Sequence, residues 1–366
     1  MRAWDEGDAV LREAQARRED DHGEAVRELE SMGVDLDPAR SGAGDARDLP
    51  ADPPDESSAG HAHPGEHAHP HPHAHAAPGE RPVVGIVGAG AVGTALGVAL
   101  SRAGWPVGAV ASRDPRRRER FAQLVPNVRG FAEANALVDD VDLVLLAVPD
   151  DVIGDIAGSM RLYAGQALVH TSGLLGADAL LPAMAAGSQA GAFHPLVAFA
   201  DVERAVEALR GATISIEGDD DLAAHLGEMA EAIGGVPVRL APGSKAAYHA
   251  AAVLSAGGVV ALLDTIREVA APLGLDEAGA LAIYLPLMEQ AIANARSLGI
   301  DAALTGPATR GDAGTIGAHL GALRAAPDTM PVYRALLARG VAIAVRRGAL
   351  APEAAAAMRA ALAEDR

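Results

Sequence analysis

No cysteine occurs in the 366 residues. That absence alone excludes disulfides, thiolate zinc sites and a cysteine nucleophile, and it is compatible with a reducing cytoplasm, the location expected here. Aromatic residues make up only 3% of the chain, too few for base-stacking surfaces. Lysine is nearly missing as well: Lys245 is the single one, and every other basic side chain is arginine. No run approaches ~18 uninterrupted apolar residues, so no membrane span is expected. The opening MRAWDEGDAVLREAQARRED is acidic and lacks an apolar stretch, so it does not read as a secretory signal. Positive charge is short too. The formal net charge is −19, and residues 1–80 carry 19 Asp/Glu against 7 Arg, so −12 of it falls there. Phosphate backbones repel such a chain. The expected partner is a small molecule, with neither nucleic acid nor membrane.

What is present divides sharply at Pro82. Residues 1–81 read as an acidic tail, with one amphipathic helix over Asp8 to Met32 and then SGAGDARDLPADPPDESSAG. That composition cannot bury enough apolar surface to offset its ordering entropy, so disorder is expected. The stretch His61 to His75 holds seven of the thirteen histidines, mostly alternating. Neutral imidazoles at that spacing chelate Zn²⁺, Ni²⁺ or Cu²⁺; the plainer account is a low-complexity segment with incidental affinity. No other metal site is expected.

From Pro82 on, 49% hydrophobic content and the remaining length suffice for two cores. VVGIV, VGAVA (Val107 to Ala111), a brief segment near Val128, DLVLLAV (Asp142 to Val148) and ALVHTS (Ala167 to Ser172) read as strands. So do AGAFH (Ala190 to His194), ATISIEG (Ala212 to Gly218) and VPVRLA (Val236 to Ala241). The continuous apolar runs fit strands of a parallel sheet covered on both faces, and helical patterns alternate with most of them. After Pro242 the strand signals stop. Ala/Leu-rich helices are expected over Ser244 to Leu273, Asp276 to Leu298, Gly314 to Ala325, Met330 to Arg347 and Pro352 to Ala363. The expected fold class is therefore α/β, a doubly wound sheet over 82–241, followed by an all-helical region over 242–366. The Ala-rich helices point to a homodimer.

Gly88-Ala89-Gly90-Ala91-Val92-Gly93 follows the first strand directly and opens a helix. In that context the spacing is the dinucleotide fingerprint of a Rossmann domain. The first glycine allows the tight turn, the second a close approach of the pyrophosphate, and the third close helix–strand packing. The helix N-terminus then offers free N–H groups to the phosphates. At the end of the second strand, Ser112 and Arg113 suit a ribose 2′-phosphate, so NADP(H) is expected over NAD. On the other account Arg116, Arg117 and Arg118 are the solvated start of a helix, and Asp114 takes the acidic role if the strand ends later. Ala147, Val148 and Pro149 leave the fourth strand and Ser172 and Gly173 the fifth, at carboxyl ends where open α/β sheets bind ligands. The first three are expected beside the cofactor, the last two beside nicotinamide or substrate.

Taken with AVPDDVI, HTSG, FHPL (Phe193 to Leu196), KAAYHAAAV (Lys245 to Val253) and LTGPATRGD (Leu304 to Asp312), the chain from Pro82 to about Leu350 resembles one family. It is the Rossmann-like proteins with a C-terminal domain of unknown function 2520, in the 6-phosphogluconate dehydrogenase-like group with β-hydroxyacid dehydrogenases and pyrroline-5-carboxylate reductase. The resemblance implies a Rossmann domain, then a helical domain like the C-terminal one of 6-phosphogluconate dehydrogenase that closes the active site and often builds a dimer. It implies no particular substrate. Lys245 matches the catalytic lysine of the β-hydroxyacid dehydrogenases, but Tyr248 and His249 stand where those enzymes carry asparagines. Ser255 to Gly258 likewise lacks an expected asparagine. β-Hydroxyacid oxidation is thereby put in doubt.

Lys245, Tyr248 and His249 fall at i, i+3 and i+4, on one face of a helix. Lysine beside imidazole can protonate a carbonyl or imine as hydride arrives, with Lys245 as donor and His249 orienting substrate. The alternative is a surface lysine and a core histidine. His194 ends a strand before Pro195 and either faces substrate or caps the turn. Arg310 is a candidate for a substrate carboxylate or phosphate, while Asp312 reads as the cap of a helix starting near Ala313. The expected activity is an NADP-dependent oxidoreductase acting on a small polar carbonyl, imine or hydroxyacid, with Lys245, His249, Tyr248, Ser172 and His194 catalytic. The alternative is a sensor or scaffold that binds NADP(H) without turnover.

Overall fold

The structure, a computed structural model, describes residues 81–363 apart from positions 186 and 242. The tail before residue 81, its expected helix and the histidine tract lie outside the described residues. Arg81, the last residue assigned to the tail, is tied to the fold. Its guanidinium stacks 5.3 Å from the Trp105 ring and donates to the carbonyls of Ala103 and Gly104.

The elements follow as β1 (Val84–Val87), α1 (Ala91–Arg102), β2 (Val107–Ala111), α2 (Pro115–Leu124), β3 (Arg129–Phe131) and β4 (Leu143–Leu146). Next come α3 (Ile153–Ser159), β5 (Ala167–His170), α4 (Leu181–Ala185), β6 (Gln189–Pro195) and α5 (Val202–Ala208). β7 (Thr213–Glu217), α6 (Asp220–Ala232) and β8 (Val236–Arg239) complete one eight-stranded sheet, ordered β3-β2-β1-β4-β5-β6-β7-β8. The order reverses between β1 and β4, as in doubly wound sheets.

Side chains alternate between two cores, one on each face. Ile86, Leu145, Val169, Phe193, Ile214 and Ile216 pack with Leu96, Phe121 and Leu226 on one side. Val144, Leu146 and Leu168 pack with Leu137, Ile153 and Leu180 on the other. This is why β1, β4 and β5 read as unbroken apolar runs. Each such fully buried aliphatic side chain is worth roughly 1.5–3 kcal/mol of transfer free energy.

The sheet departs from uniform parallel order at one place: β7 runs antiparallel to β6, and β8 follows β7. Thr213-Ile214-Ser215-Ile216-Glu217 is two-sided. Its isoleucines enter the first core while the polar residues occupy the opposite face, the two-sided pattern that antiparallel pairs accommodate.

The chain forms two compact units, one ending at Ala250 and the other beginning at Ala251. The strand signals alone put the division at 241/242. The later position arises because α7 (Lys245–Ser255) starts against the sheet, where Lys245 bonds to the loop behind β5. The second unit holds α8 (Gly257–Ala270), α9 (Glu277–Leu298), α10 (Ile300–Ala303), α11 (Pro307–Arg310), α12 (Ala313–Ala322), α13 (Met330–Arg346) and α14 (Pro352–Ala363). Its core gathers Ala308, Ile316, Val341, Ala344, Met358 and Leu362. One helical stretch, Lys245–Leu273, has the length and the mean hydropathy, 1.7, to cross a bilayer, although Ser255, Asp264, Arg267 and Glu268 interrupt its apolar runs.

Candidate active site

The turn between β1 and α1 is built so that two of its glycines are obligatory. Gly88 has φ +107°, and a Cβ there would lie 2.2 Å from the carbonyl oxygen of Ala147. A Cβ on Gly93 would lie 1.9 Å from the carbonyl oxygen of Gly88. Gly90 is different: nothing stands within 4 Å of its missing Cβ. It is the N-cap of α1 and supplies no side-chain bond to the free N–H groups of the first turn. The turn therefore packs tightly on its inner side and leaves room on its outer side. Ala147 and Val148 border it, and Pro149 leads into a 3₁₀ turn at Asp150–Val152.

At the end of β2, Ser112 is held by its backbone: its N–H donates to Phe131 and its carbonyl accepts from Arg118. Asp114 is the N-cap of α2, accepting from the N–H of Arg116 at 2.9 Å and of Arg117 at 3.4 Å. Arg113 is exposed and has no bonding partner among the described residues.

Behind β5 lies a dense polar network. Ser172 Oγ donates to Asp150 Oδ2 at 2.7 Å and accepts from the N–H groups of Leu174 and Leu175. Its hydroxyl is fully occupied in shaping the loop. Lys245, 5% exposed, donates from Nζ to the Ser172 carbonyl at 2.9 Å and lies 4.0 Å from Glu217 Oε1. Burial lowers its pKa from the ordinary lysine range, while Glu217, Asp150 and Asp178 pull it back up. Glu217 Oε2 in turn accepts from the N–H of Ala177. His170 Nδ1 accepts from the Ser172 N–H, so Nε2 carries the proton toward the Gly176 carbonyl at 2.9 Å. Burial, above all, holds this ring neutral by lowering its pKa.

Next to that network stands an aromatic cluster. The His194 ring meets Tyr248 and His249 edge-on, with centroids 5.9 and 5.7 Å apart. Gly173 lies against both imidazoles: a Cβ there would fall 2.3 Å from His249 Nδ1 and 2.7 Å from His194 Nε2. Burial, then the Lys245 charge, push the His194 pKa down to about 4. Burial raises the Tyr248 phenol, with the Ser215 hydroxyl acting the other way.

Two family descriptions match the chain: a Rossmann-like domain over residues 70–195 and a domain of unknown function, DUF2520, over residues 212–339. The chain thus carries a Rossmann-like domain followed by a DUF2520 domain. Among solved structures it is similar to protein TM1727 from Thermotoga maritima, with 25% identity, a TM-score of 0.60, and 72% of this chain and 99% of that one covered. A Bacteroides fragilis protein provisionally assigned as an NADP oxidoreductase shares 23% identity over 71% and 98% of the two chains, with a TM-score of 0.59. A reductive aminase from Aspergillus terreus, in complex with NADPH and ethyl-5-oxohexanoate, shares 17% over 76% and 98%, with a TM-score of 0.55. No curated protein matches.

The Rossmann-like segment supplies the glycine turn, Asp150, Ser172, Gly173 and His194. The DUF2520 segment supplies Ser215, Glu217, Lys245, Tyr248 and His249. Lys245, Ser172, His194, Tyr248 and His249, expected together from sequence, do gather at the carboxyl ends of β5 and β6. Asp150, His170 and Glu217 were not anticipated. The alternation in β7 was the available signal for Glu217, since a period of two puts Ser215 and Glu217 on one face. Arg310 lies in the other unit, exposed at the end of α11. Asp312 caps α12 as expected, accepting from Thr315 N and Oγ1 at 3.0 and 2.6 Å. These bonds hold its carboxyl below the usual range.

Proposed function

We propose that this protein is an NADPH-dependent reductase of small polar carbonyl or imine compounds, or of the corresponding hydroxyacids in reverse, with Lys245 as proton donor. The observation that carries the reading is the burial of the chain's sole lysine at the carboxyl edge of a dinucleotide-type sheet, bonded to the loop behind β5. The NADPH-bound reductive aminase of similar fold is consistent with it.

The residues present fit the cofactor. Gly88 and Gly93 hold a tight turn, Gly90 leaves open space before α1, and Asp114 is already engaged as a cap rather than free for a ribose hydroxyl. Gly88 to Gly93 would hold the pyrophosphate, Ser112 and Arg113 the 2′-phosphate, and Ala147, Val148, Pro149 and Gly173 would border the rest. When bound, NADPH supplies the hydride. The chain's part is to fix Lys245 through Ser172 and Glu217, keep water from its ammonium, and deliver the Nζ proton to the substrate oxygen or nitrogen. Titrating the purified full chain with NADPH and NADH, by cofactor fluorescence, tests the first half. The expected result is saturable NADPH binding, weakened about tenfold by Arg113→Ala, with NADH little changed. Absence of saturable NADPH binding sinks the reading.

A homodimer is part of the proposal. Among the described residues of α9, Ala280 alone is buried, while Leu287 (62%) and Ile292 (56%) stand exposed, as does Val260 on α8. Apolar area on that scale is characteristic of an association surface. Light scattering after gel filtration is expected to give twice the chain mass, and Leu287→Arg with Ile292→Glu to shift it to one. A wild-type monomer at micromolar concentration removes this part.

A further inference from the structure

Among the described residues, His194 Nδ1 and His249 Nδ1 are buried without a hydrogen-bond partner, and beside them the buried Tyr248 and Ser215 hydroxyls interact only with each other. They form one group. His194 and Ser215 are directly opposed across β6 and β7, so they share a face, and both α7 rings touch the His194 ring. Buried polar groups are almost always fully hydrogen-bonded, and a group of them left short marks a place where something else completes the bonding.

We infer that His194, Ser215, Tyr248 and His249 form a subsite for a substrate carboxylate, and that the carboxylate binds there together with a proton. The inference rests on the reductase reading and names the class of its substrate. Each of the four groups can donate, and an ionised carboxylate offers about four lone-pair sites for them; a lone carbonyl oxygen offers half as many. Lys245 on α7 brings one ammonium. Asp150 of the turn behind β4 and Glu217 of β7 bond to neutral partners, Ser172 and Ala177, and keep their charge, so a carboxylate entering here needs a further positive charge, which a proton supplies. His170 of β5 is tied to Ser172 and Gly176 and stays neutral.

The free site is short of one proton. Burial, Lys245 and His249 keep His194 uncharged down to about pH 4, while Asp150 opposes them. A bound anion offsets the cationic field and raises the imidazole pKa, so binding takes up a proton. Affinity is then highest at low pH and falls as pH rises through the raised value, by up to about tenfold per unit.

The test uses the full chain saturated with NADP⁺, so that no turnover occurs, and compares pyruvate with methyl pyruvate. Calorimetry at pH 5.5, above the free His194 value and within reach of the raised one, in two buffers of different ionisation heat counts the protons. The expected result is tighter binding of pyruvate by tenfold or more, with uptake approaching one proton. His194→Asn keeps an N–H donor but cannot charge. It is expected to abolish the uptake and the preference for the acid, while methyl pyruvate binding holds. Equal binding of acid and ester, no proton exchange, or uptake that persists in His194→Asn overturns the subsite and leaves a buried water as the partner of these atoms. Failure of NADP⁺ itself to bind is scored separately, as failure of the reductase reading. Pyruvate against the cofactor-free chain then decides the subsite alone.

Discussion

Lys245→Met is expected to lower kcat of NADPH-dependent reduction by about 10²–10⁴-fold, the usual contribution of a positioned general acid. NADPH affinity is expected to stay within about twofold, because Lys245 contacts the Ser172 carbonyl and Glu217 and none of the glycine turn. Methionine fills a similar volume, but the Ser172 carbonyl and Glu217 lose their partner, so the melting temperature should fall by a few degrees with the fold kept. The pH profile of the native protein gives a second reading. The ammonium is the donor, so kcat falls as pH rises through the Lys245 pKa. Burial places that value below the ordinary lysine range, and the alkaline limb should move down with it. Stopped-flow single turnovers on a reducible keto acid measure both. Native rates in Lys245→Met would assign the proton to another group.

Gly93→Ala and Gly90→Ala are expected to separate folding from cofactor binding. The new methyl at 93 would meet the Gly88 carbonyl at 1.9 Å, backbone against backbone, with no side chain free to yield. A loss of roughly 3 kcal/mol or more follows, with dinucleotide binding lost beside it. At position 90 the same methyl enters open space. Stability should hold, and NADPH affinity alone should fall by about tenfold or more as the methyl obstructs the pyrophosphate. Chemical denaturation with parallel NADPH titration checks the pair. Equal destabilisation by both variants would mean that Gly90 serves only the fold.

Much of the fold was legible from periodicity, and the reasons are local. β1, β4 and β5 are buried on both faces, and their unbroken apolar runs announce it. The antiparallel turn of β7 was not legible, since strand direction is fixed by where α5 sends the chain and leaves little mark on composition. In the site, the Lys245, Tyr248 and His249 spacing sufficed to put three groups on one helix face. His194 joined them because a residue ending a strand before proline falls at the sheet edge. Glu217 and Asp150 escaped notice because each matters through a partner far along the chain, whereas His170 bonds only within its own loop, to Ser172 and Gly176, and stood inside a run read as apolar. Ala177 and Glu217 are 40 residues apart, Ser172 and Asp150 22. Ser172 was read as a reacting group, whereas its three hydroxyl bonds make it the anchor of its loop.

The solitary lysine has a consequence beyond proton transfer. Apart from the chain's amino terminus, the protein owns one primary amine, and that amine is buried and bonded to the Ser172 carbonyl. An acylating reagent can reach it only when its surroundings open. Its labelling rate, at a pH where the amine is free, is thus a one-residue clock for the breathing of the site. A ligand that closes the cleft should slow that clock, so occupants can be screened by mass shift alone, before any turnover is known.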